Sequence, residues 1–538
     1  MNLLWAFGTA VVTCGAILYL ERVFRRRQLS KQTCLLDIDS LGFRVPREKI
    51  KGTAVICGGS IGGLIAARVC HDHFDDVLIV EPETWLNSPD AMRVDPWNQE
   101  SKRSRIVQYN SLHLLLAIGY KALSKLFPNI EEQSKASGIR IGPNDPQFHF
   151  WGHSTRMPYA EYGGTLPKTI YASRAGTETF LRRLVLGGDY QNIRQIIGTV
   201  TGVSRNAHNP EFIDHVTVRT PEGAQDIAAS FVVDCIGPAA AGLKWLRREG
   251  YGFADRYASN QLPLDELRIA YDQKLHYSTL QFHVPPELGR RLPGLPYPYD
   301  ECGMIYCNAP SDPNKDNRCM YSQRVDGDIL RFTAMGECEL PKTLEEAKAG
   351  ARSLVTEKPI PETFFKMLDM LDEVKDTMTC SQVRYPGSSY IRYERAVNLP
   401  SNWVALGDSV MRVNPIYGQG CSKAIFGAIC LDQLLRNATE IPKGFSKKYF
   451  SIHVEKIRPI WEALKVSDYS FPETIPLPGE TLSNGSWLRW YMKKLIVLAF
   501  TDDQAGSAMW RSKCLLAPST ETFQLGLILK VCWSLIKS

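Results

Sequence analysis

A glycine-rich turn near the start of the chain lies between two short apolar segments. Residues 51–57 are rich in β-forming residues, residues 58–63 read GGSIGG, and a second apolar segment at 77–80 is followed by Glu81. A strand, a glycine turn, a helix, a second strand and an acid in this order are typical of a βαβ unit that binds a dinucleotide. The free N–H groups of the helix N-terminus bind phosphates, and the acid accepts hydrogen bonds from ribose hydroxyls.

Three positions of this turn have different expected roles. Gly58 permits the tight turn, and Gly63 lets the helix pack closely on the strand. Ser60 stands where a second glycine usually lets the backbone approach a pyrophosphate, and serine is small enough for that position. We therefore expect Gly58, Ser60, Gly63 and Glu81 to bind a dinucleotide. The alternative is a glycine-rich turn in an ordinary α/β core.

A second motif lies far downstream. Residues 403–409 read WVALGDS, which indicates an apolar strand that ends in Gly-Asp. Residues 414–420 read NPIYGQG, and the apolar residues that follow, from Cys421 to Leu435, recur at a spacing of three to four. That spacing predicts a helix with one buried face, whose N-terminal dipole and N–H groups would stabilise a negative charge. The alternative for this turn is a plain helix cap.

Together the two motifs resemble those of the group A flavin-dependent monooxygenases, the para-hydroxybenzoate hydroxylase type. Residues 407–420, GDSVMRVNPIYGQG, are similar to the flavin epoxidases of polyene polyketides, including fungal ones, and more distantly to squalene epoxidase. The resemblance extends discontinuously over roughly residues 52–520. It implies FAD as the cofactor, with Asp408 on the ribitol. The residues that it places along the isoalloxazine ring are Pro415, Gly418, Gly420 and Cys421.

Weaker blocks of sequence agree with this resemblance. Arg103 and Gln108 are similar to residues of the segment after the first βαβ unit of the family, and Arg174 is similar to a residue of its next helix. The resemblance assigns all three to FAD. A further block reads DCIGP at 234–238, where many members of the family carry an Asp-Gly motif. The way in which NADPH or NADH would bind as electron donor therefore stays open.

The resemblance implies an enzyme that transfers one oxygen atom of O₂ to its substrate from a C4a-hydroperoxide of the flavin. This chemistry belongs to the cofactor, so no catalytic residue and no metal ligand is predicted in the protein. The expected activity is epoxidation or hydroxylation of an apolar polyketide or terpenoid in secondary metabolism. Two other functions stay open: a flavin-dependent reductase or dehydrogenase of a prenyl or polyene chain, and a non-catalytic prenyl-binding escort protein. A flavin halogenase is expected to carry a Trp-x-Trp-x-Ile-Pro signature, which this sequence lacks.

The expected fold is α/β and has several parts. A discontinuous Rossmann-like FAD-binding domain would comprise residues 50–245 and 378–440, and an antiparallel-sheet substrate domain would comprise residues 246–377. A helical C-terminal region at 441–538 would complete the body, and its association with a membrane stays open. The length of 538 residues, with 44% hydrophobic and 22% charged residues, agrees with a globular protein of two or three units.

Charge argues against one class of partner. Of the formal net charge of +6, four positive charges are arginines within residues 22–27. The remainder of the chain is therefore too weakly basic to form a large face that binds nucleic acid. The expected partners are an apolar small molecule and membrane lipid, and the oligomeric state stays open.

An uncharged apolar segment at residues 3–20 precedes the arginines. Eighteen helical residues at ~1.5 Å each reach roughly 27 Å, close to the thickness of the bilayer core. Because the arginines follow the apolar segment, the sequence predicts an uncleaved single-pass anchor with the body in the cytosol, on the endoplasmic reticulum. A cleaved signal peptide and a monotopic hairpin are the alternatives.

Two other groups of residues have more than one interpretation. His71, Asp72 and His73, with two acids nearby, resemble a metal-ligand set but fall at the end of the first predicted helix, where a solvated polar cap is favoured. The tryptophans and lysines at 487–494 and the apolar segment at 525–536 are typical of a membrane-interface helix or of a helix packed on the body.

Overall fold

The computed structural model describes the backbone of residues 2–106, 108–310 and 312–537. Its strands are β1 Ile50–Cys57, β2 Phe74–Glu81, β3 Arg140–Pro143, β4 Phe148–Phe150, β5 His153–Ser154, β6 Lys168–Tyr171, β7 Ile193–Ile197, β8 Thr199–Arg205, β9 Ile213–Thr220, β10 Gly223–Ala228, β11 Phe231–Asp234, β12 Arg268–Tyr271, β13 His276–His283, β14 Met304–Ala309, β15 Cys319–Arg324, β16 Ile329–Gly336, β17 Thr379–Arg384, β18 Ser388–Ile391, β19 Trp403–Ala405 and β20 Met411–Arg412.

Helices connect these strands and pack on the sheets that the strands form. They are α1 Asn2–Gln32, α2 Ile61–His73, α3 Ala117–Leu126, α4 Ile130–Ala136, α5 Arg174–Leu186, α6 Ala241–Arg248, α7 Pro286–Gly289, α8 Leu344–Arg352, α9 Glu362–Met370, α10 Gly420–Leu435, α11 Phe445–Asp468, α12 Ser486–Ala499, α13 Asp503–Lys513 and α14 Leu525–Lys537. The predicted mixed α/β fold is confirmed.

A five-stranded parallel sheet carries the first motif. Its strand order is β19-β11-β1-β2-β7, and neighbouring strands are parallel throughout. The inner parts of β1 and β2 are apolar on both faces because helices cover both sides of such a sheet. Helix α2 contacts both α5 and α10, which brings the helices that follow the two motifs side by side.

A seven-stranded sheet forms a second layer. Its order is β17-β13-β16-β15-β14-β4-β5, and only the β14–β4 pair is parallel. Because side chains alternate along a strand, Tyr277, Cys319 and Met335, which are opposite one another in the register, share one face. The other face carries Leu280 and Phe332, which pack against α8 and α9.

The C-terminal helices form two groups. Helix α11 packs on α10, and its Trp461 is buried in the main core. Helices α12, α13 and α14 share a smaller apolar cluster that includes Leu495, Ala505 and Leu527. The side of α12 away from this cluster exposes Trp487 and Trp490, so the segment at 487–494 is a helix that is packed on one face only.

The N-terminal helix corrects the predicted membrane anchor. Residues 3–20 are the first part of α1, a continuous helix whose far end is held to the body by an ion pair of 2.7 Å between Arg25 and Glu521. Lys456 of α11 also donates a hydrogen bond to the carbonyl of Thr33, just beyond α1. Within the predicted anchor, the side chains of residues 3–12, 14, 17 and 18 are not among those that the structure describes.

Among the described residues, no helix combines the length and the apolar character that crossing a bilayer requires. The predicted single-pass topology, and the localisation derived from it, was therefore wrong. The prediction treated residues 3–20 as an independent segment and used only their hydropathy and the position of the arginines. Neither property reports that the same helix continues to Gln32 and ends against the body.

Candidate functional site

The two motifs meet at one edge of the parallel sheet. The turn at residues 58–63 follows β1, Glu81 is the last residue of β2, and the turn that begins at Gly407 follows β19. The strand order separates Glu81 from Asp408 by three strand spacings, roughly 14 Å at about 4.8 Å each. We call residues 58–63 the first turn and residues 407–420 the second turn.

The backbone of the first turn is packed so tightly that two glycines are required. Gly58 has φ +108°, and a Cβ added to it would lie 2.8 Å from the carbonyl oxygen of Cys235. A Cβ on Gly63 would lie 1.8 Å from the carbonyl oxygen of Gly58. The first turn therefore presses against the end of β11 on one side and against α2 on the other. Ser60 is the N-cap of α2, as the βαβ interpretation requires.

Glu81 hydrogen-bonds the first turn directly. Its Oε2 accepts a hydrogen bond of 2.8 Å from the backbone N–H of Gly59, and its Oε1 accepts one of 3.1 Å from the N–H of Glu83. The side chain is 1% exposed. Glu81 is thus fixed at the rim of the turn by backbone donors.

A buried cluster of acids and arginines, which we call the ion cluster, lies beside the first turn. Arg103 is 2.7 Å from Glu178, 3.3 Å from Glu83 and 3.5 Å from Glu81. Burial lowers the pKa of Arg103, but these carboxylates outweigh burial and raise it. The ion cluster consists of Glu81, Glu83, Arg103, Arg174, Glu178 and Arg182.

Glu178 is the central acid of the ion cluster. Burial raises the pKa of its carboxyl, but the three arginines outweigh burial and lower the pKa. Its Oε2 accepts a hydrogen bond of 2.9 Å from the Ser60 hydroxyl. The sequence places Glu178 on the same helix face as Arg174 and Arg182, four residues from each, and this spacing could have identified it as part of the site.

Arg174 lies between the two turns. Its Nη2 donates a hydrogen bond of 2.7 Å to the Ser60 hydroxyl in the first turn. Its positive charge also opposes the rise in the pKa of the thiol of Cys421, which follows the second turn. Its Nε is buried and has no hydrogen-bond partner among the described residues. The guanidinium thus hydrogen-bonds the first turn, acts electrostatically on the thiol that follows the second turn, and retains a donor for a further group.

Gln108 is the one predicted site residue that the structure does not bring into this arrangement. Its carbonyl accepts a hydrogen bond of 3.2 Å from the N–H of Ser111. The side chain is half-buried, and within the described part of the chain it joins neither the ion cluster nor the second turn. The resemblance assigned Gln108 from its position in the sequence, which does not determine the direction of its side chain.

Asp408 of the second turn is paired with a lysine that the sequence reasoning missed. Lys423, in the first turn of α10, donates a short hydrogen bond to Asp408 Oδ1. The side chain of Lys423 is only 2% exposed, whereas that of Asp408 is 45% exposed. A lysine one turn after Gly420, in a helix whose other residues are mostly apolar, was the available signal.

The second turn is also fastened to β11. The Ser409 hydroxyl donates a hydrogen bond of 2.9 Å to Asp234 Oδ1 and accepts one of 2.8 Å from the N–H of Gly237. Burial raises the pKa of Asp234 to about 6, although hydrogen bonds from Ile236 and Ser409 oppose this. The DCIGP segment at 234–238 therefore holds the second turn in place through Ser409.

The end of the second turn leaves open space in front of a helix N-terminus. Pro415–Tyr417 form one turn of 3₁₀ helix, Gly418 has φ +69°, and α10 begins at Gly420. A Cβ added to Gly420 would meet nothing within 4 Å. Gln419 Oε1 and Ser422 Oγ are buried here without a hydrogen-bond partner among the described residues. The N-terminus of α10 thus offers unused hydrogen-bonding groups beside an unfilled position.

Cys421 and His113 form a neutral pair. His113 Nε2 lies 3.2 Å from the Cys421 sulfur, and its Nδ1 lies 3.3 Å from the Thr177 hydroxyl. Burial lowers the pKa of His113 to about 3 and raises the pKa of the Cys421 thiol. A thiolate at Cys421 is therefore disfavoured.

The seven-stranded sheet covers the second turn with an apolar face. Tyr321 donates a hydrogen bond of 3.1 Å to the carbonyl of Ile416. Tyr277, Met335 and Phe148 belong to the same cluster, which we call the roof. The roof places aromatic and thioether groups opposite the turn that resembles the ring-binding segment.

The metal-like residues of the first helix are dispersed among other partners. His71 contacts Asn192, Asp72 pairs with Arg68 at 2.7 Å, and His73 lies 3.0 Å from Asp432. Across the part of the chain that the structure describes, no three His, Cys, Asp or Glu side chains are placed to hold a metal ion.

Comparisons with known proteins agree with this architecture. No family model matches the chain. Over 442 residues it is 25% identical to Protein Rv3254 of Mycobacterium tuberculosis, covering 80% of this chain and 83% of that protein. The flavin-dependent brominase Bmp2 superposes with a TM-score of 0.51 at 13% identity, over 90% of this chain and 99% of Bmp2. Klebsiella pneumoniae HpxO, solved with FAD and uric acid, gives 0.50 at 15% identity, over 87% of this chain and 97% of HpxO.

The chain has the fold of these flavin-binding proteins. At such identities the likeness shows the fold alone, and the cofactor must be tested against the residues of the site. The residues fit FAD in three respects. First, the first turn has no room for a side chain at Gly58 or Gly63. Second, Arg174 Nε and Ser422 Oγ have no hydrogen-bond partner among the described residues. Third, Gly420 faces open space.

Proposed function

We propose that this protein is an FAD-dependent monooxygenase that inserts one oxygen atom from O₂ into an apolar substrate. One observation carries the proposal: α5 reaches both turns along one edge of the parallel sheet. Its Arg174 hydrogen-bonds Ser60, and its Thr177 contacts His113, which lies 3.2 Å from the Cys421 sulfur. A single extended ligand with phosphates at one end and a ring at the other would satisfy both turns. FAD is such a ligand, and the fold is one that binds it.

The residues of this chain would divide the binding of FAD between them. The pyrophosphate would bind at the first turn, against Gly58, Ser60, Gly63 and the N-terminus of α2. Glu81 would accept hydrogen bonds from the adenosine ribose. Arg103 and Arg174 would neutralise the phosphates. These arginines pair with Glu178 in the structure and are therefore already oriented towards the first turn.

The second turn would hold the remainder of FAD. Asp408 would bind the ribitol, with Lys423 fixing its carboxylate. The residues proposed along the ring are Pro415, Gly418, Gly420 and Cys421. The N-terminus of α10 would stabilise negative charge on the ring through its dipole and N–H groups. The bound cofactor, once reduced by NADPH or NADH, supplies the activation of O₂.

The proposed substrate is a polyketide or terpenoid, oxidised by epoxidation or hydroxylation. The roof supports this choice because its aromatic and thioether side chains, among them Tyr277, Tyr321 and Met335, face the second turn. Such a surface favours an apolar molecule and excludes water from the reacting atoms. The likeness of residues 407–420 to polyene epoxidases also supports it.

The test is turnover by the purified, flavin-loaded protein. NADPH and NADH oxidation and O₂ uptake are followed with a panel of polyenes, and products are analysed by mass spectrometry. We expect consumption of the nicotinamide and of O₂ and a product that is one oxygen atom heavier. Reduction of the polyene without uptake of O₂ would favour the reductase, and a protein that neither retains flavin nor oxidises nicotinamide would favour the escort protein.

A further inference from the structure

A buried carboxylate lies behind the second turn. Asp468, the last residue of α11, is 0% exposed. Its Oδ1 accepts hydrogen bonds from Asn414 Nδ2 at 2.8 Å and from the Tyr417 hydroxyl at 3.2 Å. Its Oδ2 accepts them from the Tyr271 hydroxyl at 2.9 Å and from Gln273 Nε2 at 2.8 Å. Asp468 therefore ties the second turn to the chain that connects β12 and β13.

Asp468 also determines how the amide of Gln273 is oriented. A carboxylate accepts hydrogen bonds and would repel an amide oxygen, so the NH₂ group of Gln273 must face Asp468. The same NH₂ group donates to the hydroxyl of Ser388. Gln273 is 6% exposed, and its Oε1 has no hydrogen-bond partner among the described residues. A buried acceptor without a donor is destabilising, so a donor is missing here.

Gln273 lines a cleft that borders the second turn. The cleft lies between Asn414 and Ile416 of the second turn, the end of β16 and the chain that follows α11, and its cavity volume is about 20 Å³, room for about one water-sized group such as a hydroxyl. Leu275 and Met335 contribute apolar walls. The acceptor that lacks a donor therefore belongs to a residue on the wall of this cleft, which adjoins the turn assigned to the flavin ring.

The charge of the cleft narrows the kind of ligand that it would accept. Glu337 and Glu473 also line it, together with Asp468. Burial raises the pKa of Glu337, and the neighbouring Glu473 raises it further. An anionic ligand would be repelled by these carboxylates, whereas a neutral hydroxyl group supplies the hydrogen that Gln273 Oε1 lacks.

We propose that this cleft binds the hydroxyl-bearing part of an otherwise apolar substrate, with Gln273 Oε1 accepting the hydroxyl hydrogen. Asp468 acts as a positioning residue because it holds the Gln273 amide with its oxygen free. The inference deepens the proposed function, on which it rests, by naming the group through which the substrate is recognised. It makes the substrate class an apolar alcohol, phenol or enol rather than a plain hydrocarbon or an acid.

The experiment uses the full chain loaded with FAD and two probes, farnesol and farnesyl methyl ether. The ether has the same apolar chain but no hydrogen to donate. Binding is followed by the change in flavin absorbance during a titration. We expect the wild-type protein to bind farnesol more tightly than the ether. Gln273→Leu should weaken the binding of farnesol by about three- to tenfold, the contribution of one neutral hydrogen bond, and leave the ether unchanged.

Two variants separate the proposal from a general loss of structure. Asn317→Leu removes another amide from the same cleft, one that does not contact Asp468, and should leave the preference for farnesol intact. Gln273→Met, which keeps the length of the side chain, replaces Gln273→Leu if the latter fails to retain flavin. Asp468→Asn should lower the preference for farnesol, because Gln273 can then turn its oxygen inwards to accept from the new amide.

Defined results would overturn the inference. It fails if the wild-type protein binds both probes equally or binds neither, if Gln273→Leu weakens both probes alike, or if Asn317→Leu has the same effect as Gln273→Leu. If the purified protein binds no FAD, the proposed function fails separately. The two titrations are then followed by tryptophan fluorescence, so that the cleft is still tested on its own.

Discussion

The two ends of the proposed cofactor site differ in charge. The ion cluster beside the first turn holds acids and arginines in direct contact, and its arginines lower the pKa of Glu178. The second turn is surrounded by a neutral His113–Cys421 pair and by buried acids, Asp234 and Asp468, whose pKa values burial raises to about 6. Charge is thus concentrated where phosphates would bind. The second turn carries the ion pair of Asp408 and Lys423, while burial disfavours the charged forms of the other titratable groups around it.

The largest effect is expected at the first turn. In Gly63→Ala the new methyl group would lie 1.8 Å from the carbonyl oxygen of Gly58, so the turn must open. We expect loss of bound FAD and a decrease of about 1–3 kcal/mol in the free energy of unfolding. Flavin absorbance and urea unfolding measure the two effects.

The matched control is Gly350→Ala in α8, where an added Cβ would meet nothing within 4 Å. It should retain FAD and gain about 0.5–1 kcal/mol of stability, because alanine is favoured over glycine within a helix. Retention of FAD by Gly63→Ala at the wild-type level would contradict the packing described for the first turn.

The next effect is expected at the second turn. Asp408→Ala removes the proposed ribitol ligand and leaves the buried cation of Lys423 without its partner. We expect FAD affinity to fall by at least about tenfold, the loss of one charge-assisted hydrogen bond. Fluorescence titration of the apoprotein with FAD gives the affinity. Asp189→Ala, at an exposed position away from both turns, is the control, and equal affinities in the two variants would remove Asp408 from the site.

A smaller effect is expected for the residue that lies between the two ends. Arg174→Met loses the hydrogen bond with Ser60 and the positive charge near Cys421 but leaves Arg103 and Arg182 beside Glu178. FAD should bind about three- to tenfold more weakly than to the wild-type protein. Arg219→Met on the exposed side of β9 is the control for loss of a positive charge. An unchanged affinity in Arg174→Met would break the proposed link between the ends.

A further effect is a difference in pH dependence, and it sharpens the contrast. Glu178 has a lowered pKa, so its stabilising contribution is present above the pKa of the unfolded chain and is lost as pH falls through the folded value. Asp468 has its pKa raised from 3.8 to about 6, so its contribution to stability is lost as pH rises through that interval, by up to about 3 kcal/mol.

Urea unfolding at a series of pH values tests this contrast. The stability of the wild-type protein relative to Glu178→Gln should rise with pH, and its stability relative to Asp468→Asn should fall as pH increases from about 4 to about 6. If both stability differences changed in the same direction with pH, the two ends of the site would not have opposite electrostatic character.

The sequence predicted the parts of the site that depend on local order. Both turns follow strands, and Gly58 and Gly63 stand where close approach of the backbone requires glycine. The mixed α/β fold was predictable for the same reason, since apolar strands and amphipathic helices are local patterns.

Contacts between distant segments were not predictable in this way. Lys423 reaches Asp408 across a turn, and Asp468 collects donors from segments that lie from about 50 to nearly 200 residues away. No periodicity encodes such pairs. The predicted anchor failed for a related reason, because hydropathy describes residues 3–20 but not the packing of the remainder of the helix.

The central claim is that both turns bind one FAD molecule, and the flavin content of the protein tests it most directly. The full chain is purified in the presence of FAD, freed of unbound cofactor and denatured, and the released flavin is identified by chromatography and quantified. The account predicts FAD at close to one molecule per chain. A folded protein that retains no flavin, or that retains FMN instead of FAD, would contradict it, because FMN lacks the half of the ligand that the first turn and Glu81 would bind.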